Sequence, residues 1–291
     1  MTFKNLSQVV LDALSLHASC TLPSIALPPA RQRLVVASGN ALPTARILFP
    51  ENNVTFCSES GYHSVLDADS SLDASVVVSA SGSKSAPQII DVLSERGLDP
   101  WLVTCDASSP AATRLEAARV ITTRSQPEPI TYNTSSYMGM ILSKTREDAA
   151  AIRSHIVGEV APLVPSFASY EAFFLVLRPE FDVQREMFVT KFDELFGGRV
   201  NGRCYTDEQT LHAKTVVPWQ KELFLLFDCE SAAVGDERLS IPLPAAAGPA
   251  AMMAVGYYVV GRIQEAFPAW FRDHMPAYLA LQPSFFEKPE V

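Results

Sequence analysis

The stretch VVVSASGSKSAPQ, Val76 to Gln88, decides the fold class, because three valines lead directly into a segment of small hydroxyl residues. The valines predict a buried strand, and the apolar pattern from Ala86 onward predicts a helix. Hydroxyl groups and backbone N–H groups at the start of a helix favour the binding of an anion. The alternative interpretation is a cluster that satisfies the first turn of the helix and binds no ligand.

The same order of strand and helix recurs through the first half of the chain. Continuous Val and Ile runs that alternate with helical patterns are typical of a parallel sheet buried on both faces. In such sheets, ligands bind beyond the carboxyl ends of the strands. Strands are predicted at 33–40, 53–60, 74–82, 100–110 and 119–129, and helices at 41–49, 86–97, 111–118 and 131–156.

The second half of the chain repeats this plan less regularly, which suggests an internal duplication whose second copy has diverged. We therefore expect an α/β protein with a first domain at 1–150 and a second, divergent domain at 151–291. In the second domain, strands are predicted at 171–179 and 221–230, helices at 182–196 and 249–267, and a proline-rich tail after them.

Charge and cysteine content limit the classes of partner. The 291 residues include 23 Lys and Arg against 32 Asp and Glu, and the net charge of −9 argues against nucleic acid or an anionic membrane. Five scattered cysteines without a CxxC pair favour reduced thiols in the cytoplasm, and no two histidines have metal-ligand spacing. The uncharged stretch Ile241–Gly261 has three prolines in its first nine residues. We interpret it as a helix buried at a subunit contact rather than a membrane span.

Several quoted stretches carry a resemblance to a known family: VVASGN (35–40), VVVSASGSKS (76–85), WLVTCDASSP (101–110) and the Glu-then-Thr pattern PEPITYNTSSY (127–137). Together they resemble the sugar isomerase (SIS) domain, a flavodoxin-like phosphosugar-binding module. The whole chain resembles the tandem-SIS isomerase unit of glucosamine-6-phosphate synthase, without the glutaminase domain. The resemblance implies two flavodoxin-like SIS units, each a parallel sheet flanked by helices, with the second unit divergent.

The resemblance implies a phosphate site at two strand ends. Ser79 and Ser81 coincide with the phosphate-binding serines of the family, and their neighbours supply backbone N–H groups. Two positions depart from the family pattern, since Lys84 replaces a usual Thr and Ala41 replaces a frequent Ser. Lys84 could add a cation to the site or shift the role of the hydroxyl to Ser85. The predicted phosphate-binding residues are Gly39, Asn40, Ser79, Ser81, Gly82, Ser83, Lys84 and Ser85.

In the second half, the resemblance implies proton-transfer chemistry. Glu194 would move a proton between C2 and C1 of a sugar, and His212, 18 positions later, would assist ring opening. Lys191, one helical turn before Glu194, would stabilise the enediolate oxygen, and Lys288 matches a lysine in the family's C-terminal tail. The alternative interpretations are a solvated i,i+3 salt bridge for Lys191 and Glu194, and a packed or surface histidine for His212.

These expectations lead to a phosphosugar isomerase, or an aminosugar-phosphate isomerase or deaminase, that acts on a hexose 6-phosphate through a cis-enediol. The alternative is a non-catalytic phosphosugar-binding sensor or regulatory protein. No cofactor and no metal are expected. The resemblance also implies a homodimer, in which His212 reaches the active site of the neighbouring chain. The cysteines add the expectation of a cytoplasmic location, and the net charge that of no nucleic-acid or membrane partner.

Overall fold

The structure is a computed structural model that describes residues 3–164, 166–213, 216–230, 235 and 237–286, with side chains up to residue 281. The predicted catalytic residue Lys288 lies outside the described residues. Internal contacts divide the chain into two units. The N-terminal unit comprises Ala13–Pro127 and Asn133–Ala149, and the C-terminal unit comprises the described residues of Met1–Asp12, Glu128–Tyr132 and Ala150–Val291.

Parallel strands form the sheet of the N-terminal unit: β1 (Arg33–Ala37), β2 (Val54–Cys57), β3 (Ala74–Val78), β4 (Pro100–Thr104) and β5 (Val120–Thr122). Their order in the sheet is β2-β1-β3-β4-β5. From their second residue onward β1 and β3 are buried, as the Val runs predicted. Ala37 of β1 lies beside Val78 of β3, so the loops that follow these two strands begin at adjacent positions.

The helices that contribute to this unit are α1 (Leu6–Ala18, from Ala13 onward), α2 (Ala41–Leu48), α3 (Tyr62–Ala68), α4 (Ala86–Glu95) and α5 (Thr134–Thr145). The helix predicted at 111–118 is wrong. An extended backbone at Leu115 separates two short 3-10 turns there. The long helix predicted at 131–156 is also wrong, because Arg146 adopts a left-handed conformation (φ 61°) that ends α5 before α6 (Ala149–His155) begins.

The sheet of the C-terminal unit contains β6 (Ala172–Leu177), β7 (Asn201–Thr206), β8 (Glu222–Phe227) and β9 (Arg238–Ile241). These strands are parallel in the order β7-β6-β8-β9. The buried central strands β6 and β8 were predicted from their apolar runs. The outer strands β7 and β9 were not, because edge strands are partly exposed and lack a continuous apolar run.

Besides α6 and the part of α1 up to Asp12, the helices of this unit include α7 (Arg185–Phe196), α8 (Asp207–Thr210), α9 (Pro249–Ala266) and α10 (Trp270–Phe286). Helix α9, which is uncharged from Pro249 to Gly261, was expected at a subunit contact, but residues Ala250–Gly261 are already buried within the chain itself. Gly256 of α9 permits this packing, since an added Cβ would lie 2.3 Å from the Phe188 ring of α7. The expected proline-rich tail is in fact α10, whose first turn is held by ring contacts from Trp270 to Phe267 and from Phe271 to Tyr132.

Both sheets follow the same strand order, in which the first strand lies between the second and the third. This confirms the predicted fold class, an α/β protein with parallel sheets flanked by helices. The shared order is consistent with the predicted internal duplication, and in the described residues the second sheet has four strands where the first has five. Within the described residues, the structure contains no helix of the length and apolar content that a membrane crossing requires.

His17 is a buried histidine in the core of the N-terminal unit. Its Nε2 lies 2.9 Å from the carbonyl oxygen of Ser135 in α5, so Nε2 carries the proton and donates. Gly139 allows the close approach, because an added Cβ would lie 2.6 Å from the ring. Burial lowers the pKa of His17 below its ordinary value of 6.5, and the carbonyl of Ser135 only partly opposes this effect.

The lowered pKa of His17 predicts a loss of stability in acid. As the pH falls below about 6.5 the unfolded chain binds the proton first, so the free energy of unfolding decreases there, whereas at higher pH this contribution is complete. In urea unfolding measured between about pH 7 and pH 5, His17→Gln should reduce this loss. The matched control is His63→Gln, which makes the same change at an exposed histidine. An unchanged pH dependence in His17→Gln would contradict the prediction.

Candidate functional site

The carboxyl ends of β1 and β3 form a first candidate site, which lies within the N-terminal unit. With this strand order, the chain passes from β1 to β2 in one direction along the sheet and from β3 to β4 in the opposite direction. Ligands of such folds bind in the crevice between the ends of β1 and β3. The loop Ser38–Asn40 follows β1, and the loop Ser79–Ser85 follows β3. The structure therefore brings the two predicted phosphate loops to adjacent strand ends in one unit.

The loop Ser79–Ser85, here called the serine loop, is shaped by its own hydroxyl groups. The amide of Gly82 donates to Oγ of Ser79 at 3.2 Å, and the hydroxyls of Ser81 and Ser83 lie 2.7 Å apart. Lys84 is exposed and adopts a left-handed conformation with φ 55°. Ser85 immediately precedes α4 and does not cap it with its side chain. The loop thus presents several hydroxyls and a lysine at a helix N-terminus, which is the arrangement that anions favour.

Gly82 is the tightest point of the serine loop. Its φ is +57°, and an added Cβ would lie 2.2 Å from Oγ and 2.7 Å from Cβ of the buried Ser109. The carbonyl of Gly82 also accepts a hydrogen bond from the amide of Ala111 at 2.9 Å. The segment after β4 therefore fixes the position of the serine loop. This role of Ser109 was not predicted from the sequence, although the stretch WLVTCDASSP contains a Ser-Pro pair after a strand.

The corresponding point of the C-terminal sheet has different chemistry. Arg178 follows β6 and Asp228 follows β8, and their side chains form an ion pair of 2.8 Å. Arg178 also pairs with Glu180 at 2.7 Å. Because its cation is already matched by two carboxylates, this strand end is a poor place for a phosphate. Among the described residues, the serine-rich loop that was predicted to bind phosphate belongs to the N-terminal unit.

Lys191 and Glu194 of α7 form a second candidate site, which lies within the C-terminal unit. Lys191 is completely buried, whereas the side chain of Glu194 is 23% exposed, and their Nζ and Oε2 atoms are 2.5 Å apart. Nζ also donates to the carbonyl oxygen of Thr131 at 2.7 Å and lies 5.4 Å from the centre of the Tyr257 ring. The pair is therefore a buried contact with one partly exposed end, and differs from the solvated salt bridge considered as the alternative.

Burial shifts both groups of this pair towards their neutral forms. Desolvation lowers the pKa of Lys191, and the nearby carboxylates of Glu194 and Glu128 oppose that change. Desolvation raises the pKa of Glu194, and Lys191 opposes the rise. A carboxyl with a raised pKa and an exposed end is suited to exchanging protons with a ligand. The participation of the Thr131 carbonyl was not visible in the sequence, because every residue carries such a group.

His212 lies just beyond α8. A capping box formed by Thr206 and Gln209 fixes the start of that helix, and the amide of His212 donates to the carbonyl of Gln209 at 3.0 Å. The side chain of His212 is exposed, and no hydrogen bond or ion pair joins it to a described residue. Large exposed apolar side chains accompany it along the chain: Leu211, Val216, Val217 and Trp219. In the described parts of the chain, no group of three His, Cys, Asp or Glu side chains is arranged to hold a metal ion.

Comparisons with known proteins support the fold. No protein-family model matches the sequence, and neither does any curated protein. Solved structures do match. They include a glucosamine-6-phosphate deaminase from Thermotoga maritima (TM-score 0.61, 10% identity, 94% of this chain and 98% of that chain). The C-terminal domain of glucosamine-fructose-6-phosphate aminotransferase from Francisella tularensis also matches (TM-score 0.56, 10% identity, 90% and 93%). A Silicibacter pomeroyi protein assigned as a phosphosugar isomerase has 18% identity (TM-score 0.58, 93% and 93%). At these identities the likeness establishes a shared fold.

The contact between Gly82 and Ser109 predicts an unequal effect of two similar substitutions. Gly97 also has positive φ (+72°) but has open space around it, so Gly97→Ala should cost about 1 kcal/mol of unfolding free energy. Gly82→Ala adds a steric clash and should cost about 2–4 kcal/mol. Urea unfolding measures both values.

A double-mutant cycle assigns the extra cost of Gly82→Ala to Ser109. Adding Ser109→Gly removes the atoms that the new Cβ would strike, so the two substitutions should cost less together than the sum of their separate costs. Strict additivity, or equal costs for Gly82→Ala and Gly97→Ala, would show that the contact does not position the loop.

Proposed function

We propose that this chain is a phosphosugar isomerase, or an aminosugar-phosphate isomerase or deaminase, that acts on a hexose 6-phosphate through a cis-enediol. The observation that carries the proposal is Glu194, a partly exposed carboxyl with a raised pKa held against a buried lysine. The folds of a glucosamine-6-phosphate deaminase and of an aminotransferase domain support it, because both proteins are named for aminosugar-phosphate chemistry.

In the proposed mechanism, Glu194 removes the proton from C2 of the open-chain sugar and returns it to C1. Its raised pKa helps the second half of this exchange, since the protonated carboxyl must persist until the enediol collapses. His212 is proposed to move the proton that opens the sugar ring. Its side chain forms no ion pair or hydrogen bond with a described residue. Lys288 remains the proposed tail lysine over the site.

The role proposed for Lys191 changes from the one inferred from sequence. Its amino group is buried and is already bonded to Glu194 and to the carbonyl of Thr131. We therefore propose that Lys191 is a positioning residue that orients the Glu194 carboxylate, rather than a group that touches the enediolate oxygen. A lysine held from two sides fixes the direction in which the carboxylate presents its second oxygen.

The phosphate of the substrate is proposed to bind at the serine loop, with Gly39, Ser81, Ser83, Lys84 and Ser85 among its neighbours. The hydroxyl geometry and the position of the loop at the β1–β3 crevice support this assignment. A cytoplasmic location is proposed as well, since no disulfide joins any of the five cysteines, all of which lie in the described part of the chain.

We also propose a homodimer in which His212 completes the site of the neighbouring chain. The support is the exposure of the large apolar side chains Leu211, Val216, Val217 and Trp219 along the same segment, because exposed apolar surface is typical of protein contacts.

The central test follows proton exchange in D2O by NMR, with a panel of hexose and aminohexose 6-phosphates. Wild-type protein should incorporate deuterium at C1 or C2 of at least one member, and Glu194→Gln should slow this exchange by about 100-fold or more. Glutamine keeps an oxygen that can accept from Lys191 but removes the charge of the pair, so the circular dichroism spectrum of the variant is recorded to verify that it is folded. Glu186→Gln, at an exposed position of the same helix, is the matched control and should exchange at the wild-type rate.

Two outcomes would contradict the enzyme proposal. If no panel member exchanges but one shows line broadening, the chain is a phosphosugar-binding sensor, the alternative function. If exchange occurs and survives Glu194→Gln, the base is another residue.

The proposed dimer predicts complementation between two inactive variants. If His212 serves the neighbouring site, mixing equal amounts of Glu194→Gln and His212→Ala should restore about a quarter of the wild-type activity, because only mixed dimers contain one intact site. Each variant alone should remain inactive. Light scattering that shows a monomer at micromolar concentration, or a mixture no more active than its components, would refute the shared site.

A further inference from the structure

Asn40 is a helix-capping residue that does not cap. It immediately precedes α2, where an asparagine side chain ordinarily accepts a hydrogen bond from the first turn of the helix. Such a cap needs an extended backbone, but Asn40 already has helical dihedral angles (φ −64°, ψ −12°) and makes no side-chain cap. The presence of an asparagine at this position therefore needs an explanation other than helix capping.

The amide oxygen of Asn40 is buried without a partner. The residue is 7% exposed, and no described residue donates a hydrogen bond to Oδ1. A buried acceptor without a donor destabilises the folded protein, so native proteins rarely retain one without a reason. The backbone carbonyl of the same residue is satisfied, since Thr44 donates to it through its hydroxyl at 2.8 Å. Only the side-chain oxygen is left without a donor.

The location of Asn40 connects it with the proposed phosphate site. It ends the loop after β1, next to the serine loop that follows β3, at the crevice between these strands. Its neighbour Gly39 has φ +54°, and no heavy atom lies within 4 Å of the position of an added Cβ. The turn therefore has open space on that side.

The chemistry of the amide oxygen distinguishes two parts of a sugar phosphate. A fully ionised phosphate monoester has acceptors and no donor, so it gains nothing from an amide oxygen. A sugar hydroxyl or an ammonium group is a donor, which is what Oδ1 lacks. We propose that Oδ1 of Asn40 accepts a hydrogen bond from a hydroxyl or ammonium group on the carbon skeleton of the ligand, and so selects sugar phosphates over simple phosphate monoesters. This inference rests on the proposed phosphate site at the serine loop.

The test compares two probes at pH 8, methyl phosphate and glucose 6-phosphate, with calorimetric titration of the wild-type chain and two variants. Both probes are monoesters and both are ionised, but only glucose 6-phosphate carries hydroxyl donors. Asn40→Ala should weaken the binding of glucose 6-phosphate about tenfold or more and leave methyl phosphate unchanged. Ser81→Ala, in the serine loop, should weaken both probes by a similar factor.

Each other result overturns a specific statement. Equal weakening of both probes by Asn40→Ala would make Asn40 a phosphate ligand and refute the inference. No effect of Asn40→Ala on glucose 6-phosphate would also refute it, while a normal response to Ser81→Ala leaves the phosphate site standing. No binding of either probe to the wild-type chain would refute the phosphate site itself.

Thermal unfolding separates a ligand role from a structural one. Because the Asn40 side chain makes no cap, Asn40→Ala should unfold at the wild-type temperature or above it. A variant that unfolds several degrees lower would show that the side chain supports the fold, and the inference would fail.

Discussion

The burial of the Lys191 amino group is the interaction on which the C-terminal unit depends. An ammonium group without water must be satisfied by protein groups, and removing one partner of a buried ion pair typically costs about 3–5 kcal/mol. Here the partners come from two places in the chain, Glu194 one turn away and the carbonyl of Thr131 sixty residues earlier. The lysine thus ties the segment 128–132 to α7 of the same unit.

This tie also accounts for an unusual backbone. Thr131 has a φ of 71°, a left-handed conformation that is unfavourable for a β-branched residue. A conformation of this kind persists only where the surroundings over-determine it. The hydrogen bond from Lys191 to the Thr131 carbonyl supplies part of that constraint. The amino group of Lys191 therefore both orients the Glu194 carboxylate and helps to hold Thr131 in its strained conformation.

The sequence predicted the features that depend on burial over several consecutive residues. The Val runs of β1 and β3, the apolar runs of β6 and β8, and the serine loop after β3 were all readable, and the fold class followed from them. Edge strands β7 and β9 were not predicted because they are partly exposed and carry no continuous apolar run. The left-handed Arg146 that ends α5 was not predicted because nothing in its residue type demands that conformation.

The candidate site residues could be predicted only in part, because the sequence shows their types and spacing but not their burial or contacts. Residue types and spacing drew attention to Lys191 and Glu194, but i,i+3 pairs of this kind are usually solvated, and only the fold reveals that this lysine is buried. Likewise, Asn40 stood out as part of a Gly-Asn turn, whereas the missing cap depends on its dihedral angles. Contacts between distant segments, such as Gly82 with Ser109, lie beyond any local pattern.

The two sheets have the same strand order, but the side chains at the corresponding strand ends differ in chemistry. In the N-terminal unit the crevice is lined by hydroxyls, a helix N-terminus and the exposed Lys84, whereas in the C-terminal unit Arg178 is matched by Asp228 and Glu180. A chain of net charge −9 repels anions at long range, so a phosphate site must rely on short-range donors rather than on the overall field. An exposed lysine contributes a screened attraction, while fixed hydroxyls and amide groups retain their effect at close contact. Selectivity at such a site therefore has to come from groups that respond to the rest of the ligand, and a buried acceptor such as Asn40 is a group of that kind.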